Sequence, residues 1–271
     1  QKHKNAEGID IPVLIEDLAK KLKRHPHLRH IIPIPTAKVP IVKFFDTQIQ
    51  LDVDISLYNC LAQANTQMLY VYSKIDPRVR QLVYTTKVFA KVCNIGDAII
   101  GSLSSYAYTL MTIYFLQQRQ PPVLPVLQEI YQGKEKPKET IEGWNAWFFG
   151  DLKKLFQVWK ITNTESVGEL WIGFLRFFTE EFNCKKNVVC IRQHKPLTRF
   201  EKMWSGAVRG FAIEYPFDLG HNLGGGVSRR MATFIMQVFI KARQHFGTPK
   251  RKRSPDEFDN FFNEYILTGG E

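Results

Sequence analysis

The chain has 271 residues, 44% of them hydrophobic and 23% charged, with a formal net charge of +11. That length suits one large domain or two ordinary ones, and the basic balance favours polyanionic partners: nucleic acid, nucleotides or an anionic membrane surface. No apolar run approaches the roughly 18 residues of a transmembrane helix, so a membrane span is not expected. No signal-peptide pattern opens the chain. The four cysteines, Cys60, Cys93, Cys184 and Cys190, form no CxxC pair and no zinc spacing, even with His194 close to the last two. Such sparse cysteine fits a reducing compartment. The first residue is Gln1, which points to a chain that begins inside a longer protein.

In chain order, residues 13–24 read as an amphipathic helix with Pro12 at its start, where the missing N–H costs nothing. Leu14, Ile15, Leu18 and Leu22 form its apolar face. Pro26 ends it, and His25, His27 and His30 fall in a loop. Residues 39–44 and 51–59 read as two strands joined by a turn at 46–50. The second of these alternates strictly. Leu51, Val53, Ile55 and Leu57 point one way, and Asp52, Asp54 and Ser56 the other. Such a strand is either the solvent face of a half-covered sheet or a rigid mount for hard oxygen ligands to a divalent cation. One helix and two strands are too little for an independent sheet domain, so the first sixty residues read as the second half of one.

From Leu61 the period becomes helical. Asp76-Pro77 starts a helix over 78–93, with Val79, Leu82, Val83, Val88 and Val92 as its apolar residues. Lys87 and Lys91 share one of its faces, either as a solvated pair or as a site for anions. Gly101-Ser-Leu-Ser-Ser-Tyr106 opens a strongly apolar helix that runs to about residue 118. Its serines are N-cap signals, and a helix N-terminus also suits phosphate. Residues 120–125 are a Pro-rich break and 132–142 a charged loop. Trp144, Trp147, Phe148, Phe149, Phe156 and Trp159 are expected mostly in the core. Residues 166–182 read as an amphipathic helix anchored by Leu170, Phe174, Leu175, Phe177 and Phe178. Short strands are expected at 188–192 and 211–214, a glycine-rich loop at 217–226, and a last helix at 231–246. Lys250-Arg-Lys-Arg253 is a basic tail. Arg229, Arg230, Lys241 and Arg243 are candidates for RNA phosphate contact.

Three stretches, taken in this order, carry a resemblance. They are Asp54-Ile-Ser-Leu-Tyr-Asn59 with Asn65-Thr66 downstream, Gly101-Ser-Leu-Ser-Ser-Tyr-Ala-Tyr108, and Pro216-Phe-Asp-Leu-Gly-His-Asn222. Together they resemble the terminal uridylyltransferases of the DNA polymerase β nucleotidyltransferase superfamily, and in particular the catalytic half of the cytoplasmic vertebrate enzymes with zinc knuckles. The resemblance spans nearly the whole chain. It implies an α+β fold: the C-terminal part of a nucleotidyltransferase mixed sheet, residues 1–60, packed on a mainly helical domain, residues 61–271. The PAP-associated segment falls at about 165–225, and nucleotide binds in the cleft between the two parts. It implies attack of an RNA 3′ end on the α-phosphate of UTP with loss of pyrophosphate, assisted by Mg²⁺ or Mn²⁺. It also implies a cytoplasmic location and an RNA-binding protein partner.

The same resemblance assigns roles. Asp54 matches the third catalytic carboxylate and metal ligand. Asn65 matches the ribose contact, and Lys87 and Lys91 the pair that neutralises the triphosphate. Ser105 stands where a phosphate oxygen is bonded, and Tyr106 where uracil is stacked upon. His221 matches the histidine that favours uracil over adenine, and Asp218 an acidic residue near the same edge. Two departures stand out. The family's earlier Gly-Ser turn and Asp-x-Asp pair have no counterpart before Asp54, and Asp10 is isolated. Glu214-Tyr215-Pro216 stands where Glu-Asp-Pro is usual, replacing an acid that borders the base. The alternatives are an RNA adenylyltransferase on the same scaffold, or an inactive pseudo-nucleotidyltransferase that binds RNA or protein.

Overall fold

The computed structural model describes residues 10–247 apart from 38, 58, 132, 205 and 207–209. The basic tail at 250–253 therefore lies outside the described residues. The chain divides into two compact units, residues 1–64 and 65–271, and the fold is mixed helix and sheet.

The first unit is one helix on a three-stranded antiparallel sheet. Helix α1 spans Ile11–Leu22, two residues earlier than expected. The reason is Asp10, whose carboxylate accepts the Val13 N–H as an N-cap, with Pro12 in the first turn. Strands β1 (Leu28–Ile34), β2 (Ile41–Asp46) and β3 (Leu51–Ser56) pair in the order β1-β2-β3. Strand β1 corrects the expectation of a loop. Pro33 argues against a central strand, but β1 is an edge, where a missing donor is tolerated. Ile15 and Ala19 of α1 pack on Val42 and Phe44, with Val53, Ile55 and Leu57 against the same cluster. The alternation of β3 thus holds from Val53 onward, while Leu51 is exposed.

The second unit is helical, with small sheets inserted. Helix α3 (Pro77–Val92) follows α2 (Cys60–Ile75) and is capped by Asp76, which accepts the Arg78 N–H at 2.8 Å. Its apolar face differs from the valine pattern. Phe89 and Ala90 are buried with Val79 and Leu82, and Val88 is exposed. Helix α4 (Ser105–Gln118), capped by Ser104, is buried without interruption from Ala107 to Gln117, as expected of a helix apolar all round. Gln117, buried near its C-terminal end, donates to the Ile191 carbonyl at 3.0 Å and to the Tyr72 hydroxyl at 3.1 Å.

Helix α6 (Val167–Arg176) follows the short helix α5 (Leu152–Val158) and starts with a reciprocal Ser166–Glu169 capping box. It passes into a π-helical turn, Phe177–Glu181, rather than continuing to 182 as α-helix. The wider turn brings Phe177 and Phe178 to ring centroid distances of 5.7 Å and 5.0 Å from Phe115 and Phe174. Phe211 and Phe239 complete this aromatic core at 5.5 Å from Phe178 and 5.7 Å from Phe174. The tryptophan- and phenylalanine-rich stretch from 144 to 159 is not core: none of its six aromatics is fully buried. Strands β4 (Thr140–Ile141) and β5 (Trp144–Asn145) form a two-residue hairpin there. Glu142 and Gly143 take the positive φ angles, 51° and 82°, that such a turn requires. Strands β6 (Asn187–Val189), β7 (Leu197–Thr198) and β8 (Ala212–Ile213) form a sheet in the order β7-β6-β8, with β6 and β8 parallel. Helix α7 (Arg229–Phe246), capped by Ser228, closes the unit.

Phe174 meets four rings at once, so Phe174→Ala should cost about 3–5 kcal/mol of unfolding free energy, read by denaturant titration. A loss under about 1 kcal/mol would mean that the cluster can collapse onto the gap.

Candidate functional site

Ser104 caps α4 with its side chain, which leaves Ser105 exposed and Tyr106 half-buried in the first turn. The Tyr106 hydroxyl donates to Asn65 Oδ1 at 2.5 Å. Asn65 is buried on α2, so one helix fixes the aromatic ring of another. Burial, reinforced by neighbouring Tyr215, pushes the Tyr106 phenol well above its ordinary range, and the Asn65 bond only partly offsets this. Tyr106 therefore stays a neutral donor with an available ring face, a surface on which a base can stack.

Tyr106 also meets the segment that follows β8. The Tyr106 and Tyr215 ring centroids are 5.9 Å apart, and Tyr215 lies 6.0 Å from the His221 ring, both within the range of aromatic contact. Tyr106 thus forms one aromatic row with two residues of a segment more than a hundred positions away. The segment is closed on itself. Tyr215 N–H donates to the His221 carbonyl at 3.0 Å, and His221 N–H to the Asp218 carbonyl at 3.0 Å. The Asp218 carboxylate accepts the Gly220 N–H at 3.2 Å, so Asp218 shapes the turn that presents His221. Burial and the Glu142 and Asp218 carboxylates raise the Tyr215 phenol. Tyr215 therefore adds a neutral ring, not a third negative charge, to this edge.

Beside Tyr106 lies a cavity of about 390 Å³, lined among others by Thr66, Tyr70, Arg80, Lys87 and Ser105. Lys87 and Ser105 are thereby brought together with Tyr106. Lys91, exposed one turn further along α3, is outside that lining. Arg80 was not anticipated from the sequence, although its spacing of seven residues from Lys87 places both cations on one face of α3. The cavity thus offers two cations, a helix N-terminus and hydroxyls, a chemistry that suits phosphate.

Glu214, which the sequence marks only as the first residue of the Glu-Tyr-Pro departure, anchors the whole segment. It is 1% exposed. Its carboxylate accepts from Arg192 Nε at 2.6 Å, Lys202 Nζ at 2.6 Å and Cys190 Sγ at 3.1 Å. Cys190 is therefore committed to this cluster, and the described residues contain no metal-binding group of three or more His, Cys, Asp and Glu. Burial pushes the Glu214 carboxyl up, but bonds from Arg192, Lys202 and Cys190 outweigh it and hold the carboxyl below its ordinary value.

In the first unit, Asp54 lies on the exposed face of β3, opposite Lys43 on β2, with Lys43 Nζ 3.4 Å from its carboxylate. Asp52 is exposed beside it. Among the candidate RNA contacts, Arg243 is paired with Glu180. Arg229, Arg230 and Lys241 are exposed on α7.

Comparison with known proteins decides the family. Residues 3–74 match the model described as the central palm domain of mitochondrial-like poly(A) RNA polymerase, and residues 166–221 match the PAP-associated model of Cid1-family poly(A) polymerases. The crystal structure of the Cid1 poly(U) polymerase superposes with a TM-score of 0.81 and 30% identity, covering 92% of this chain and 77% of that one. The chain belongs to the Cid1 nucleotidyltransferase family. Among curated relatives of this family, terminal uridylyltransferase 4 of Homo sapiens is 59% identical over 99% of this chain, and terminal uridylyltransferase 7 of Homo sapiens 55% over 98%. The chain spans 16% and 18% of the length of these two proteins. The α+β fold with a PAP-associated segment agrees with the expectation from sequence.

Because its folded carboxyl titrates below the ordinary glutamate value of 4.5, Glu214 contributes stability that is present above that value and lost as pH falls through the lower folded one. Glu214→Gln should cost about 3–5 kcal/mol at neutral pH. The gap to the unsubstituted chain should shrink as unfolding is repeated at progressively lower pH below 4.5. A gap independent of pH would contradict the charged, clamped carboxylate.

Proposed function

We propose that this chain carries the nucleotide-recognising region of a template-independent RNA 3′-terminal uridylyltransferase. In this reaction the RNA 3′ hydroxyl oxygen attacks the α-phosphorus of UTP. The bond to the bridging oxygen of the β-phosphate breaks, and pyrophosphate leaves. The observation that carries the reading is the row Tyr106–Tyr215–His221 beside a cavity lined by Lys87, Arg80 and Ser105. The row presents ring faces and an imidazole to a base, and the cavity presents cations and free helix N–H groups to phosphates. Asn65 holds Tyr106 and has an amide N–H₂ left for a ribose hydroxyl. The solved relative supports the same ligands, since Cid1 has been crystallised with the UTP analog UMPNPP and with its short product ApU.

On this reading a divalent cation, Mg²⁺ or Mn²⁺, would neutralise the triphosphate and the developing charge, with Asp54 as one ligand. The described residues do not by themselves fit such a centre. Asp54 is paired with Lys43, its neighbour Asp52 is the other acid of that face, and a Mg²⁺ ion requires about six oxygen ligands. What this chain's own residues supply is recognition: Tyr106 a stacking surface, His221 base discrimination, Lys87 and Ser105 a phosphate grip. The reading includes a cytoplasmic location and an RNA-binding protein partner that delivers substrate.

Equilibrium titration with each of the four nucleoside triphosphates tests the reading. UTP should bind saturably and most tightly. His221→Leu should raise ATP affinity relative to UTP by about tenfold, as expected when one polar base contact is replaced by a small apolar group. An unchanged ratio would remove His221 from base choice. No saturable UTP binding would leave the chain an interaction module. In primer extension by a protein containing this chain, single-stranded RNA should lengthen with UTP in preference to ATP.

A further inference from the structure

Asp218 and His221 sit on a segment, residues 215–222, that one lysine grips from outside. Lys202 belongs to a separate tight turn, in which Met203 N–H donates to the Phe200 carbonyl at 2.9 Å and Trp204 N–H to the Arg199 carbonyl at 2.8 Å. Its ammonium donates to Glu214 Oε2 at 2.6 Å, just before the segment begins, and to the Leu219 carbonyl, in its middle. The Lys202 side chain is 13% exposed and the Glu214 side chain 1%, so both contacts are shielded from water. The ammonium also lies 4.8 Å from the centre of the Trp204 ring. At its base the segment is closed by the Glu214–Asn222 bridge and by Tyr215 N–H on the His221 carbonyl. Its far end, the turn 218–220, is held by Lys202 through Leu219, which lies between Asp218 and His221.

We propose that Lys202 is a positioning residue for base recognition. It ties the Leu219 carbonyl to the buried Glu214 carboxylate and so fixes where Asp218 and His221 stand relative to Tyr106. This inference rests on the nucleotide reading given above. Lys202 acts through the segment, whereas the phosphate-facing residues Lys87 and Ser105 lie on α3 and α4 and owe nothing to it. Loss of the lysine therefore weakens contacts to the base and spares contacts to the phosphates. Arg192 still bonds both Glu214 oxygens without Lys202, so the buried carboxylate keeps a countercharge and the unit keeps its fold.

The test is titration of the full chain with UTP, ATP and inorganic tripolyphosphate. Lys202→Met should weaken UTP by about tenfold, erode its preference over ATP, and leave tripolyphosphate within about twofold. Lys202→Arg, which retains charge and donors, should recover most of the UTP affinity. A Lys202→Met chain that binds UTP as the unsubstituted one does would overturn the proposal. So would equal losses for UTP and tripolyphosphate, since those report general damage. Failure of the unsubstituted chain to bind UTP, with tripolyphosphate still bound, would overturn the nucleotide reading and this inference with it.

Discussion

Ala107 to Gln117 are buried without a break, and the second unit depends on that constraint. Helix α4 borders the cavity beside Tyr106 through its first turn, Ser105 and Tyr106, and through Thr109 and Ile113 further along the same side. The Ser104 cap satisfies one of the free N–H groups of α4 and leaves the rest of the first turn open. Ser105 and Tyr106 occupy that turn. Around the buried portion, α3, α6 and α7 pack through Phe89, Phe174 and Phe239, with the Phe239 ring in contact with both of the others. The core therefore fixes the axis of α4 and, with it, the origin from which the site is measured. Asn65 then fixes the remaining freedom of Tyr106 by accepting its hydroxyl.

A second constraint works on the segment that follows β8. Strand β8 is only two residues long and cannot by itself fix the segment that follows it. Glu214 does so, because a buried carboxylate with three donors can occupy only one position at low cost. Hydrophobic packing thus places Tyr106, and a buried ion cluster places the segment that carries His221. The two differ in their sensitivities. Packing of the first is indifferent to pH, whereas the second is lost when its carboxylate is protonated. The cavity beside Tyr106 goes with the first, and His221 with the second.

Much of this was legible in the sequence wherever one local rule suffices. Period two in Val53-Asp-Ile-Ser-Leu57 gave the faces of β3. Asp76-Pro77, Ser104 and Ser166 gave three helix starts, because a cap needs only its own side chain and the next three residues. Lys87, Ser105, Tyr106, Asp218 and His221 were singled out only through the family resemblance, since a lone lysine pair or a serine cap has an ordinary structural meaning. What was missed depends on distant partners. Strand β1 contains Pro33 and is a strand because it is an edge. Trp144 to Trp159 have the composition of a core, but the phenylalanines of α6, its π-helical turn and α7 fill that volume instead. Glu214 stood out in the sequence only as part of Glu-Tyr-Pro, and its anchoring role depends on Arg192 and Lys202, at twenty-two and twelve residues' separation, converging on it.

The central claim is that base recognition lies in the row Tyr106–Tyr215–His221, with the phosphates toward Lys87 and Ser105. The most direct measurement is a crystal structure of this chain soaked with UTP. The account predicts uracil stacked on the Tyr106 ring with its edge toward His221, and phosphate density in the cavity lined by Lys87 and Arg80. Uracil placed away from Tyr106, or phosphates bound elsewhere with that cavity empty, would contradict it.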